Sequence, residues 1–107
     1  MTPVEQLRDA LASLPEVVCA PSRFGSRRNL GWSVSGTEFA HLHADNLLDL
    51  RLPRPMQASL RSEPLARFRK SASDWIEFEF HSVKDVERLV KIVREAWAAA
   101  RESKHHA

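Results

Sequence analysis

The stretch Glu38–Leu52, EFAHLHADNLLDLRL, decides how this chain folds. Two histidines, His41 and His43, and two aspartates, Asp45 and Asp49, are set among leucines and alanines at strand-like spacing. Successive side chains of a strand point to opposite faces of a sheet, so such a stretch sorts its apolar and polar residues to different sides. Leu48, Leu50 and Leu52 alternate with Asp49 and Arg51 and give one strand, and the residues before a turn near Asp45-Asn46 give another. Upstream, Leu30, Trp32 and Val34 alternate with Gly31, Ser33 and Ser35 and give a third, joined to the second through Ser35-Gly36-Thr37.

The register of that hairpin carries most of the functional reading. A three-residue turn sets Trp32 beside Ala40 and Leu30 beside Leu42, leaving His41 and His43 on the other face. A two-residue turn puts Phe39 and His41 on the tryptophan's side, because a slip of one residue reverses every side chain. The three-residue turn is the expectation, since it keeps imidazoles out of the apolar layer.

Working outward, Thr2-Pro3-Val4-Glu5 reads as a capping box with proline at the first helical position. Val4, Leu7, Leu11 and Leu14 continue it as one apolar stripe, which Pro15 ends. Val17–Ala20 is a short strand, followed by the basic loop Arg23–Arg28. Beyond Pro53 a short helix carries Met56 and Leu60, and residues 64–74 read as a basic, serine-rich loop. In Trp75–His81, Ile76, Phe78 and Phe80 face inward while Glu77, Glu79 and His81 face out. Ser82 caps a last helix with Asp85 at its third position, and Val86, Leu89, Val90, Val93, Ala96 and Trp97 form its stripe. The sum is an α+β two-layer sandwich: an antiparallel sheet of about five strands with the N- and C-terminal helices packed on one face. Residues 1–102 form a single domain and 103–107 a frayed tail.

A chain of 107 residues with 43% hydrophobic and 28% charged residues is the size and composition of one globular domain. There is no basic-then-apolar leader at the N-terminus and no apolar run near the roughly 20 residues that span a bilayer. The single cysteine, Cys19, cannot form an internal disulfide and reads as a core residue, so a cytoplasmic location is expected. A net charge of +2 is too small to mark a nucleic-acid binder. Its distribution nevertheless favours one region, where Arg23, Arg27, Arg28, Arg67, Arg69 and Lys70 make a candidate anion-binding set.

In the expected register, His41, His43, Asp45, Asp49, Glu77, Glu79 and His81 share the face without helices. Imidazoles two residues apart on a strand point the same way and can both reach one ion, so His41, His43 and Asp45 are the candidate ligands for Zn, Mn or Fe. Alternation on a solvated or partner-covered face yields such polar sets by itself, and that is their commoner origin. There is no Walker loop, GxGxxG or zinc-finger spacing, and no nucleophile stands out. The residues expected to contact a ligand or partner are His41, His43, Asp45, Asp49 and Glu79.

The sequence resembles the luciferase-domain family of small bacterial proteins. The pattern E-x-x-H-x-H-x-D, then D-L, then S-x-W-[IV]-x-F, then D-V falls here on Glu38, His41, His43, Asp45, Asp49-Leu50, Ser73, Trp75, Ile76, Phe78 and Asp85-Val86. Two positions depart from it: Ala44 stands where members often carry glycine, and Arg67, Phe68 and Arg69 stand in a loop where they carry a histidine. The order of elements is also similar to that of small YjbR-like proteins. The polar sheet face makes the expected role a binding or interaction module working through its His/Asp-bearing surface, with a small ligand, a protein partner or a second copy as its target. The alternatives are a metal-assisted hydrolase or lyase using His41 and His43, and, less favoured, nucleic-acid binding through the basic loops. No cofactor is named by the sequence.

Overall fold

The computed structural model describes residues 1–22, 29–68 and 73–103. Helix α1 (Pro3–Ala12) is followed by strands β1 (Val18–Pro21), β2 (Leu30–Val34), β3 (Thr37–Ala44) and β4 (Leu47–Arg51). A short helix α2 (Arg54–Gln57) runs into a 3-10 turn (Ala58–Leu60); β5 (Ala66–Arg67), β6 (Trp75–Glu79) and the long helix α3 (Val83–Ser103) complete the chain. The strands form one antiparallel sheet in the order β1-β2-β3-β4-β6-β5. The expected sandwich is present with one strand more than expected: Ala66–Arg67, read as loop, pairs with Phe78 and Glu77 at the edge of β6. Two residues are too few for an alternation pattern to register.

The caps are those the sequence implies. Glu5 N–H donates to Thr2 Oγ1 at 3.2 Å while Glu5 Oε1 accepts from Thr2 N–H at 3.3 Å. Asp85 N–H donates to Ser82 Oγ at 3.1 Å, and Asp85 Oδ2 accepts from His81 N–H at 2.9 Å. Leu7 and Leu11 of α1 and Val86, Leu89, Ile92, Val93, Ala96 and Ala100 of α3 join Trp32, Val34, Phe39, Ala40, Leu48, Leu50, Ile76, Phe78 and Phe80 in one core cluster. Each of the larger aliphatic and phenylalanine side chains among them contributes about 1.5–3 kcal/mol by leaving water. Helix α3 contacts β2, β3 and β4 on the face that carries this core, and α1 buries Leu7 and Leu11 in the same core, so the long helices among the described residues lie on one face.

Cys19 is a correction. It is exposed, not core, because β1 is the outer strand of the sheet and all four of its residues are exposed.

The β2–β3 hairpin also departs from expectation, and its departure is informative. The turn has two residues, Ser35-Gly36, with Val34 opposite Thr37 and Ser33 opposite Glu38. The register then shifts, so Trp32 still lies opposite Ala40 and Gly31 opposite His41. A β-bulge at Phe39 absorbs the difference, giving the pairing expected of the longer turn from the shorter one. Both turn residues have positive φ, 53° at Ser35 and 79° at Gly36, as a right-twisted two-residue hairpin requires. A Cβ at Gly36 meets nothing within 4 Å, so substitution there tests backbone conformation alone. Gly36→Ala should cost about 1 kcal/mol, and Ser35→Asn, which creates the Asn-Gly pair such turns prefer, should stabilise by a few tenths of a kcal/mol. Urea unfolding checks both: the midpoint moves in opposite directions with an unchanged slope.

Candidate functional site

On the face without helices, register alone lines up Gly31, His41, Asp49, Glu77 and Arg67 across five strands. His41 and Asp49 are therefore direct cross-strand neighbours, and the carboxylate stands between two imidazoles. Asp49 Oδ2 lies 2.9 Å from His41 Nε2 and 2.6 Å from His43 Nε2, and the two Nε2 atoms are 3.3 Å apart. A second register shift, between Leu42 and Ala44, frees His43 from strict pairing and lets its ring lean to Asp49.

The cluster extends on both sides of His41. Glu38 Oε2 lies 3.3 Å from His41 Nδ1 and accepts a 2.7 Å hydrogen bond from Ser22 Oγ. The Trp75 ring lies 4.6 Å from the His41 ring between centroids, tilted by 48°, and the Trp75 N–H donates to Ser73 Oγ at 3.0 Å. Gly31 makes room for the Glu38 carboxylate: a Cβ there would stand 2.6 Å from Oε1 and 2.8 Å from Cδ.

Burial sets this group apart from an ordinary polar sheet face. His41 is 4% exposed, Glu38 5% and Asp49 0%, whereas the His43 side chain is 35% exposed. The sequence reading placed His41, His43 and Asp49 on a solvated or partner-covered face. Instead, Trp75 and Glu38 close over His41. Placing charged or polar groups out of water costs several kcal/mol unless they are paired, so the network is held by its internal contacts.

Of the residues expected to act, the fold unites His41, His43 and Asp49 and leaves two apart. Asp45 sits exposed in the turn between β3 and β4, outside the cluster, and Asp49 stands where it was expected as the carboxylate ligand. Glu79 pairs with Arg67 at 2.7 Å and with His81 at 2.6 Å. The hydrogen bond from His81, followed by the Arg67 charge, holds its carboxyl below the usual range. Of the candidate anion-binding residues, Arg67 is thus engaged with Glu79, while Arg23, Arg27, Arg28, Arg69 and Lys70 lie outside the described residues.

Glu38 and Trp75 were not among the expected site residues. Glu38 stands three positions from His41, which in a regular strand means the opposite face; the bulge at Phe39 reverses that. Trp75 lies two residues before outward-facing Glu77 and so shares its face.

His41 Nε2, His43 Nε2 and Asp49 Oδ2 suit a small divalent ion. Ligand atoms at tetrahedral Zn are about 3.3–3.6 Å apart, given bond lengths of about 2.0–2.2 Å. The N–N edge already fits at 3.3 Å, and the two N–O edges need to open by less than about 1 Å. No other trio of candidate metal-binding side chains converges this way among the described residues.

A family profile described as the luciferase domain matches residues 36–96, more than half of the chain. No curated protein and no solved structure matches it significantly. The matched span holds Glu38, His41, His43, Asp49 and Trp75, whereas Ser22 and Gly31 precede it.

The difference in burial between the two histidines makes their substitutions unequal. His41→Ala should destabilise by about 2 kcal/mol, through the buried polar contacts it leaves unmade. His43→Ala should stay within about 1 kcal/mol. Chemical denaturation of the two variants at one pH reads this directly; equal losses would contradict the burial.

Proposed function

The chain belongs to the luciferase-domain family, and we propose that it is a small cytoplasmic binding module whose working surface is the helix-free sheet face, and that its ligand there is a divalent transition-metal ion held by His41, His43 and Asp49. The observation that carries this reading is the meeting of both Nε2 atoms on one carboxylate oxygen at 2.9 and 2.6 Å. Two imidazoles and one carboxylate are a donor set for Zn, Co, Ni or Fe(II), and a poor one for Mg or Ca, which take oxygen ligands. The small size of the triangle and its placement on adjacent strands supply the preorganisation such binding needs.

A count of three protein ligands also favours a second reading, a metal-assisted hydrolase or lyase, because catalytic sites of this kind keep a position open to water or substrate. The two readings share the ion and differ in whether a fourth ligand exchanges. Small anions that change the visible absorption of the Co(II)-loaded protein would support the open position; an absorption indifferent to them would favour simple binding.

Zinc or cobalt titration of untagged protein, followed by calorimetry, should give one equivalent bound. His41→Ala, His43→Ala and Asp49→Ala should each lose more than the roughly 10–100-fold that removal of an outer partner costs. Asp45→Ala should bind as the wild type does, as should His105→Ala/His106→Ala, which removes the two adjacent histidines near the C-terminus. Failure of the wild-type protein to take up any of these ions, or equal loss on replacing Asp45, would overturn the assignment.

A further inference from the structure

We infer that Glu38 is the positioning residue of this site, accepting the Nδ1 proton of His41 so that Nε2 is left as a lone-pair donor to the ion. The inference rests on the metal reading above and adds to it the group that fixes one ligand's tautomer.

A neutral imidazole carries one proton. With an ion on Nε2 that proton must be on Nδ1, and the group facing His41 Nδ1 is Glu38 Oε2, at 3.3 Å. The contact is longer than an ordinary hydrogen bond of about 2.9 Å. Admitting an ion requires the His41–Asp49 pair to open from 2.9 Å toward the spacing of tetrahedral ligands, about 3.3–3.6 Å. Opening the pair by displacement of the ring away from Asp49 would bring Nδ1 toward the carboxylate that faces it. Metal-ligating histidines commonly donate their second N–H to such a carboxylate, which sets ring orientation and raises basicity.

Three features hold Glu38 to this task. The bulge at Phe39 turns it onto the face of His41 despite their odd spacing. Ser22 Oγ donates to Oε2, the same oxygen that faces the ring, and so fixes its place. Gly31 leaves open the volume that the carboxylate occupies, where any Cβ would press on Oε1 and Cδ. A clip between Ser22 and β3 would need the Ser22 contact but not the approach of Oε2 to His41 Nδ1.

The test is zinc affinity by chelator competition in wild type, Glu38→Gln, Glu38→Ala and Ser22→Ala, with thermal unfolding of the metal-free proteins measured alongside. Glutamine retains a carbonyl acceptor, so affinity should fall in the order wild type, Glu38→Gln, Glu38→Ala, with a total loss of about 10–100-fold. Ser22→Ala, which leaves the carboxylate in place but untethered, should lose less. In zinc-loaded protein with ¹⁵N-labelled histidine, His41 should give the signature of a ring protonated at Nδ1 and bound through Nε2. Wild-type protein that takes no zinc overturns the metal reading and this inference with it. Wild-type protein that binds zinc while both Glu38 variants bind within about threefold, or whose His41 is bound through Nδ1, overturns the role of Glu38 alone. If Glu38→Ala does not fold, Glu38→Gln and Ser22→Ala carry the same comparison.

Discussion

A tight two-residue turn and a histidine kept out of the apolar layer make incompatible demands on the β2–β3 hairpin. Regular pairing outward from Ser35-Gly36 would set Trp32 opposite Phe39 and turn His41 into the layer beneath the helices. The extra residue at Phe39 removes the conflict, placing Trp32 opposite Ala40 and His41 opposite Gly31. Phe39 and Ala40 then both enter the core, at 0% exposure each. The same insertion brings Glu38 to the side of His41. One bulge thus serves packing on one face of the sheet and gathers a buried polar cluster on the other, in keeping with the tendency of bulges to re-aim side chains.

What the bulges assemble is costly to bury. Glu38, His41 and Asp49 give up nearly all contact with water on a face that neither long helix among the described residues covers. Apolar residues of similar size would stabilise at least as well, since buried ionic networks seldom repay their desolvation in full. Local rules of sequence and structure are most often broken where a site demands it. By contrast, Glu79, Arg67 and His81 form an exposed set a few residues away, where ion pairs contribute little and no closed geometry is imposed.

The legible part of the sequence was that governed by period and by capping. Alternation in Leu48–Leu52 and Trp75–Phe80 placed the leucines and aromatics under the helices, and Thr2 and Ser82 marked where helices begin. The assignment of His41, His43 and Asp49 to one face followed from the same arithmetic. What periodicity could not convey was any insertion into it. The two-residue turn with a compensating bulge mimics a three-residue turn at every position beyond Phe39, so the histidines were placed correctly for a partly wrong reason. Glu38 was hidden by its odd spacing from His41. The exclusion of Asp45 depended on where a tight turn directs its side chain, which composition does not specify. Edge effects were equally silent: β1 reads as apolar yet lies exposed, with Cys19 in it.

The residues through which the chain resembles its family can now be weighed by position. Glu38, His41, His43, Asp49 and Trp75 come together around one imidazole, and Ser73 fixes the backbone that carries Trp75. Asp85 serves a helix cap instead, and Asp45 occupies a turn. A sequence pattern therefore mixes two kinds of residue that look alike in one dimension. Those that converge in space are concerned with the ring of His41: what faces each of its nitrogens, and what covers its plane. A buried imidazole flanked by carboxylates on both nitrogens is an oriented donor, and orientation is what a site needs before it can discriminate among ligands. On the proposed reading, an aromatic cover, a glycine gap and a distant serine hydroxyl all serve the orientation of that single side chain.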